Sequence, residues 1–278
     1  MSPTLVATFI GVGLAVGFLA GLVGIGGGVL MVPFLYFVYD GPGPAWGWTV
    51  MPDLAATVSH ATSLFVIVPT AIVGTIAYSR QGAVAWRAAL PIAAASMVGG
   101  VAGARVAVLL PGDLLKSVFG LFLIASAVQL VLVQSNPGER PARQTIWLTL
   151  PTGIIVGMFS ALMGVGGGLV AIPLLLYVIG LPVRKVAATS LAVIVFAATA
   201  GSLTYIVTGW AEPGLPAGSL GYVHAPAAIP LMIGSVFAVR LGTRVNQRMD
   251  VRVLQRIFAV LLFLLGARLM VQGVAGLR

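Results

Sequence analysis

Gly24-Ile25-Gly26-Gly27-Gly28 decides how this chain is read, because the stretch returns 140 residues later as Gly164-Val165-Gly166-Gly167-Gly168. A proline follows each copy five residues on, at Pro33 and Pro173. Phe18, Leu19, Leu22 and Val23 precede the first copy, and Val29, Leu30, Met31 and Val32 follow it. Four glycines in five positions cannot hold a helix, since each costs about 1 kcal/mol against alanine in a helix interior. Two long apolar segments are therefore each interrupted at the same internal point. A break inside lipid leaves backbone N–H and C=O groups that only protein or a polar cavity can cover. Paired interruptions in the two halves of a membrane chain point to a binding site.

The surroundings of the two boxes belong to a membrane protein. Of 278 residues, 59% are hydrophobic and only 8% charged, and the mean hydropathy is +1.10. A soluble domain has no use for that much apolar surface, so the chain reads as several helical spans in a lipid bilayer. The net charge of +9 would raise nucleic acid as a partner for a soluble chain. Here the basic residues sit singly or in pairs between spans, where they set orientation instead, so no nucleic acid is expected. Cysteine is absent, which excludes disulfides and thiol chemistry. The first 23 residues lack a basic leader and do not read as a cleaved signal peptide.

Taken in order, residues 4–23 and 29–39 form a broken pair around the first box. Asp40 to Asp53 is a loop, with Gly41-Pro42-Gly43-Pro44 as punctuation and Trp46 and Trp48 suited to an interfacial belt. Spans follow at 54–79, 88–109 and 115–133, and residues 134–145 form a polar, cytoplasmic link. The second half repeats the order, with a broken pair over 146–179 and spans at 187–208, 223–243 and 253–273. Arg184-Lys185 closes the turn before the first of these, and Glu212 to Gly221 is a Gly/Pro-rich loop.

The duplication extends well beyond the boxes. Ala61-Thr62-Ser63-Leu64 matches Ala188-Thr189-Ser190-Leu191 at an offset of 127, and Gly74, Tyr78 and Gly82 match Gly201, Tyr205 and Gly209. Pro91, Ser96, Gly103 and Arg105 match Pro230, Ser235, Gly242 and Arg244 at an offset of 139. Agreement over consecutive elements makes residues 1–133 and 146–278 two copies of one unit. Equivalent loops carry opposite charge: Asp40 and Asp53 face Arg184 and Lys185, while Arg80 and Arg87 face Glu212. By the loop-charge rule the copies are then inverted, which requires each broken pair to return to its starting side. With that topology the whole net charge of +9 falls on one, cytoplasmic, face. The expected fold is an all-α polytopic membrane protein of two inverted repeats, each a Gly-rich broken pair plus three spanning helices.

Two Gly-x-Gly-Gly-Gly boxes, each with its proline and each followed by an Ala-Thr-Ser segment, resemble the TauE/SafE sulfite-exporter family, also called the 4-toluene sulfonate uptake permease family. The resemblance covers nearly the whole chain. It implies a multi-pass transporter of the bacterial or archaeal inner membrane, without a cofactor, carrying small sulfur-containing or organic anions such as sulfite, thiosulfate or sulfoacetate. Members differ in cargo and direction.

The residues point independently to an anion. After each box a helix begins, near Val29 and Leu169, with unpartnered N–H groups and the positive end of its dipole. Glycine allows an anion to approach such a backbone closely. Gly24, Gly26, Gly27 and Gly28, with Gly164, Gly166, Gly167 and Gly168, are therefore the candidate cradle. The plainer reading is that the glycines only let helices pack, which explains a glycine every fourth position better than four in five. Thr62, Ser63, Thr189 and Ser190 offer hydroxyl donors at matching positions, or else bonds within the protein. His60 stands beside the Ala-Thr-Ser segment and could carry a coupling proton. Its match is Ala187, and an interfacial or packed histidine is the plainer account, as it is for His224. Arg105 and Arg244 lie at helix ends, where snorkelling accounts for them.

Three functions compete: a secondary transporter working by alternating access, an anion channel with a Gly-lined pore, and an intramembrane enzyme. All six acidic residues lie in or beside loops, which leaves no acid pair for catalysis within the spans. No Walker motif provides for ATP. Proton or sodium coupling and a homodimer are both compatible with the chain. The loop charges make a direct prediction. Single cysteines at Gly43 and Ser219 should react with an impermeant thiol reagent on intact cells, and cysteines at Gln81 and Pro182 should not. Labelling at Gln81 or Pro182 without labelling at Gly43 contradicts the topology.

Overall fold

Apolar runs that lack an interior break close their own backbone hydrogen bonds and become helices. In the computed structural model, which describes residues 2–41, 48, 50–132, 145–246 and 251–276, nearly all of the chain does so. The first half consists of α1 (Pro3–Val23), α2 (Gly28–Asp40), α3 (Pro52–Ser79), α4 (Trp86–Leu109) and α5 (Gly112–Leu132). The second consists of α6 (Ile146–Met163), α7 (Gly168–Pro173), α8 (Val183–Thr208), α9 (Ala225–Asn246) and α10 (Val251–Gly276). Seven of these, α1, α3–α6, α8 and α9, contain a stretch long and apolar enough to cross a membrane. Trp46 and most of the link at 134–145 lie outside the described residues, as does the middle of the turn after α9.

Several ends carry the chemistry that stops or starts a helix. Ser2 caps α1 through its side chain, and prolines occupy the first turns of α1 and α3, where no intrahelical N–H is needed. α1 and α6 both stop at a left-handed glycine, Gly24 at φ 78° and Gly164 at φ 63°. α2 remains α-helical to Asp40, whereas α7 passes into one turn of π-helix over Leu174–Val178.

Small residues set the packing. Gly13, Gly17 and Gly21 of α1 press on Leu231, Ser235 and Val239 of α9, so these helices run parallel. Gly153 and Gly157 of α6 press in the same way on Ile92 and Ser96 of α4. Each half thus sends its first helix to pack on the other half. α3 and α8 pass antiparallel: Gly201 lies against Leu64, and Gly74 against Leu191. α5 and α10 also pass antiparallel, with Gly120 on Gly266 and Ser117 beside Gly273. Between helices in lipid, such close approach supplies the van der Waals contact that a hydrophobic force cannot.

Two expectations need correction. Arg184 and Lys185 lie in the first turn of α8, which starts at Val183 and not at 187. Pro182 at the N-cap starts the helix there, because its lack of an N–H costs nothing at a helix start. The span expected from 223 begins at Ala225, because Val223–His224 pairs antiparallel with Ser219–Leu220 in a small hairpin. Gly221, at φ 55°, permits its tight turn.

The α1–α9 crossing yields a stability prediction. A Cβ at Gly17 would overlap the Ser235 backbone, whereas a Cβ at Gly11 would meet nothing within 4 Å. Gly17→Ala should lower stability by about 1–3 kcal/mol, and Gly11→Ala should raise it by up to about 1 kcal/mol. Thermal unfolding of the purified variants in detergent checks both.

Candidate functional site

Because α1 and α6 end in left-handed glycines, the chain reverses at each box and starts a second, shorter helix. Both boxes use the same backbone pattern. Gly24, Gly26 and Gly27 have φ of 78°, 89° and 83°, and Gly164, Gly166 and Gly167 have φ of 63°, 84° and 81°. The two reversals meet each other. A Cβ on Gly28 would lie 2.5 Å from the Gly164 carbonyl oxygen, and one on Gly168 would overlap Ile25. Gly26 and Gly166 both face Ile67 and Ile194, near the middles of α3 and α8. The boxes therefore sit together where the two long antiparallel helices cross.

The carbonyls at the ends of α1 and α6 find donors. Tyr78 donates its hydroxyl to Gly21 at 2.7 Å, and Tyr205, its match, donates to Ala161 at 2.9 Å. Ser190 donates to Gly24 at 3.1 Å, and Ser63 donates to Gly164 at 2.8 Å, so each serine serves the box of the other half. Asn246 donates its side-chain amide to Leu22 at 2.5 Å. At the matching carbonyl, Leu162, the donor is His60 Nδ1 at 2.8 Å. His60 thus fills in one half the position that Asn246 fills in the other. A carbonyl can only accept, so Nδ1 bears the proton, and Nε2 accepts from the Tyr36 hydroxyl at 2.5 Å.

The N–H groups that follow fare differently. Gly27 and Gly167 are the N-caps of α2 and α7, and neither offers a side chain. Their carbonyls accept from Leu30 and Met31, and from Val170 and Ala171. Among the described residues, no acceptor reaches the N–H of Gly26, Gly27, Gly28 or Val29, nor that of Gly166, Gly167, Gly168 or Leu169. All eight residues are buried. Orphaned buried N–H groups are rare in native proteins. Here they come in two matching sets at the positive ends of two helices.

Of the candidate hydroxyls, Ser63 and Ser190 are therefore engaged with box carbonyls. Thr62 accepts from the His224 N–H at 3.0 Å, and Thr189 accepts from the Ala85 N–H at 3.1 Å. These four hold the boxes and the starts of α4 and α9 in place. His60 and His224 are both fully buried within the protein, so each is a packed histidine. His224, in the hairpin before α9, is hydrogen-bonded to Tyr39 at 3.0 Å, and burial pushes its pKa down to about 4. A cluster that sequence reading missed flanks Tyr36. Lys116 pairs with Asp40 at 3.0 Å and lies 5.6 Å from the centre of the Tyr36 ring. A cavity of about 170 Å³ runs beside it, lined by Tyr36, Asp40 and Arg268 among others. Its residues are far apart in sequence, and no matching cluster in the second half gave a repeat signal: Tyr36 and Asp40 match Leu176 and Gly180.

The profile of the sulfite exporter TauE/SafE family matches residues 9–269. A probable membrane transporter protein of Methanocaldococcus jannaschii is 30% identical over 92% of this chain and 91% of its own length. Probable membrane transporter proteins of Bacillus subtilis and Haemophilus influenzae are 26% and 28% identical, covering 94% and 90% of this chain and 96% and 92% of their own. No solved structure matches the chain.

The serine bonds give a test of what the hydroxyls do. Ser63→Ala and Ser190→Ala each leave a buried carbonyl unsatisfied, so each should cost about 1–3 kcal/mol of stability. Anion affinity of the folded variants should change little. Wild-type stability with weakened anion binding would instead give the hydroxyls to the cargo.

Proposed function

The chain belongs to the sulfite exporter TauE/SafE family, and its curated relatives are probable membrane transporter proteins; we propose that it is a secondary transporter of small oxyanions bound between the two Gly boxes. Sulfite, sulfoacetate or a related sulfonate is the cargo class. The unpartnered N–H groups of Gly26–Val29 and Gly166–Leu169 carry this reading. A carbonyl-lined site would suit a cation, but the carbonyls of Gly21, Leu22 and Gly24, and of Ala161, Leu162 and Gly164, already accept hydrogen bonds. The unpartnered N–H groups are buried at two helix starts, where the dipole is positive, which is the chemistry of anion binding.

Alternating access is the mechanism, and inverted repeats are its basis. The antiparallel passage of α3 and α8, and of α5 and α10, supports inversion, because each pair consists of matching segments. Direct contact between the boxes favours a carrier that opens by turns over a channel with a standing pore. In this scheme one half rocks against the other about the α3–α8 crossing, and the boxes part to admit the anion from one side at a time. His60 is the histidine in contact with a box, and it is the residue to carry a coupling proton.

Alanine in the boxes would be a poor probe, since positive φ and tight contacts would damage the fold whatever the glycines bind. Replacing Val29 or Leu169 by its α-hydroxy analogue removes one N–H and keeps the side chain. Each replacement should weaken sulfite or sulfoacetate binding by roughly ten- to a hundredfold, the worth of a hydrogen bond to a charged group at about 1.5–3 kcal/mol. Wild-type affinity in both refutes the cradle. Proteoliposome uptake of sulfite, thiosulfate, sulfoacetate, taurine and acetate, with and without a pH gradient, identifies the cargo. His60→Asn keeps a donor for Leu162, as Asn246 serves Leu22, so it should abolish gradient-driven uptake and spare exchange. Unchanged uptake removes His60 from coupling.

A further inference from the structure

A second set of unpaired donors, separate from those of the boxes, lies at the end of the bundle where α3 and α9 finish. Arg80 and Gln81 just past α3, and Arg240, Thr243 and Arg244 of α9, surround a cavity of about 380 Å³. Its remaining wall is apolar: Val73, Ile76 and Ala77. The ion pair between Lys116 and Asp40 is the one present among the described residues, so none of the three arginines has an acidic partner there. Thr243 is spent on its own helix, donating to the Arg240 carbonyl at 2.9 Å.

Duplication does not account for this group. The positions that match Arg80 and Arg240 are Val207 and Val101, and only Arg244 has a basic match, Arg105. Orientation by loop charge does not account for it either. That rule needs basic residues anywhere in the turns on one side; it does not need three of them around one groove with an apolar wall. Three guanidinium groups present forked donors suited to a tetrahedral oxyanion. The wall below them, including the half-exposed Ile76, continues onto the apolar flank of α3. A charged head above and a hydrocarbon surface below match an amphiphile at a membrane boundary.

We propose that Arg80, Arg240 and Arg244 form a binding site for a phosphate oxyanion, supplied by the headgroup of an anionic phospholipid or by free phosphate. The site ties the end of α3 to the end of α9, and so joins the two halves. It stands whether or not the boxes carry an anion, because it shares no residue with them.

The test uses the full chain in two arms. In the first, native mass spectrometry counts lipids retained by protein released from phosphatidylcholine nanodiscs that contain phosphatidylglycerol. In the second, protein in neutral detergent is titrated with inorganic phosphate while thermal unfolding is followed. Phosphatidylglycerol retention should fall about fivefold for each of R80Q, R240Q and R244Q, and about a hundredfold for the triple variant, at about 1 kcal/mol per basic residue near the surface. R105Q, at the opposite end, should match the wild type. The single variants carry the test where the triple variant fails to insert. Loss in the lipid arm alone identifies a headgroup site, and a parallel loss of phosphate stabilisation identifies a site for phosphate from either source. Retention and stabilisation equal to the wild type in all three single variants overturn the proposal.

Discussion

Everything near the centre of this bundle follows from one requirement: two chain reversals inside an apolar interior must have their backbone polar groups covered. The ends of α1 and α6 leave carbonyls that water cannot reach. Side chains from α3, α8 and α9 cover them, through Tyr78, Ser190 and Asn246 at one box and Tyr205, Ser63 and His60 at the other. Because Ser63 and Ser190 each serve the opposite box, neither reversal is satisfied without the other half. The long antiparallel helices α3 and α8 must therefore cross beside the boxes, and α1 and α6 must each dock on the partner half.

The requirement is met unevenly, and the unevenness has chemical content. The carbonyls of Gly21, Leu22 and Gly24 and of Ala161, Leu162 and Gly164 are served; the N–H groups at the starts of α2 and α7 are not. A glycine N-cap provides the turn but no side-chain acceptor. Burial without an acceptor costs a donor its hydration, about 1–3 kcal/mol for each group. The two sets of donors are close because the reversals touch, and they touch because positions 28 and 168 have no side chain to hold them apart.

The two halves also diverge where their roles can differ. At matching carbonyls one half uses an amide, Asn246, and the other an imidazole, His60. Both are adequate donors, but only the imidazole can change charge. The same half carries Tyr36, Lys116 and Asp40 around that imidazole, where the other half has Leu176 and Gly180 at the positions matching Tyr36 and Asp40. One box is thus joined, through His60 and Tyr36, to a chain of polar groups leading to the end of α2. α7, lacking those anchors, runs only six residues before its π-helical turn.

Sequence by itself determined the elements and their number. Apolar runs of span length, cut by Gly boxes and turn residues, leave a chain in lipid little choice but helices, and α1–α6 lie close to where those runs placed them. The matching of positions between the halves is likewise read from residue identity. The pairings belonged to the tertiary structure. Ser63 bonds a residue 101 positions away, and Asn246 one 224 positions away. No local periodicity encodes such distances. For the same reason Ser63 and Ser190 read in sequence as hydroxyls available to a ligand and folded as donors already engaged, while Thr62 and Thr189 accept from distant backbone N–H groups. The hairpin at 219–224 and the early start of α8 escaped the hydropathy pattern, because both rest on backbone preferences at Gly221 and Pro182 and not on apolar content. That the two boxes face each other with buried N–H groups left over could not be read from either copy alone, since it is a property of their contact.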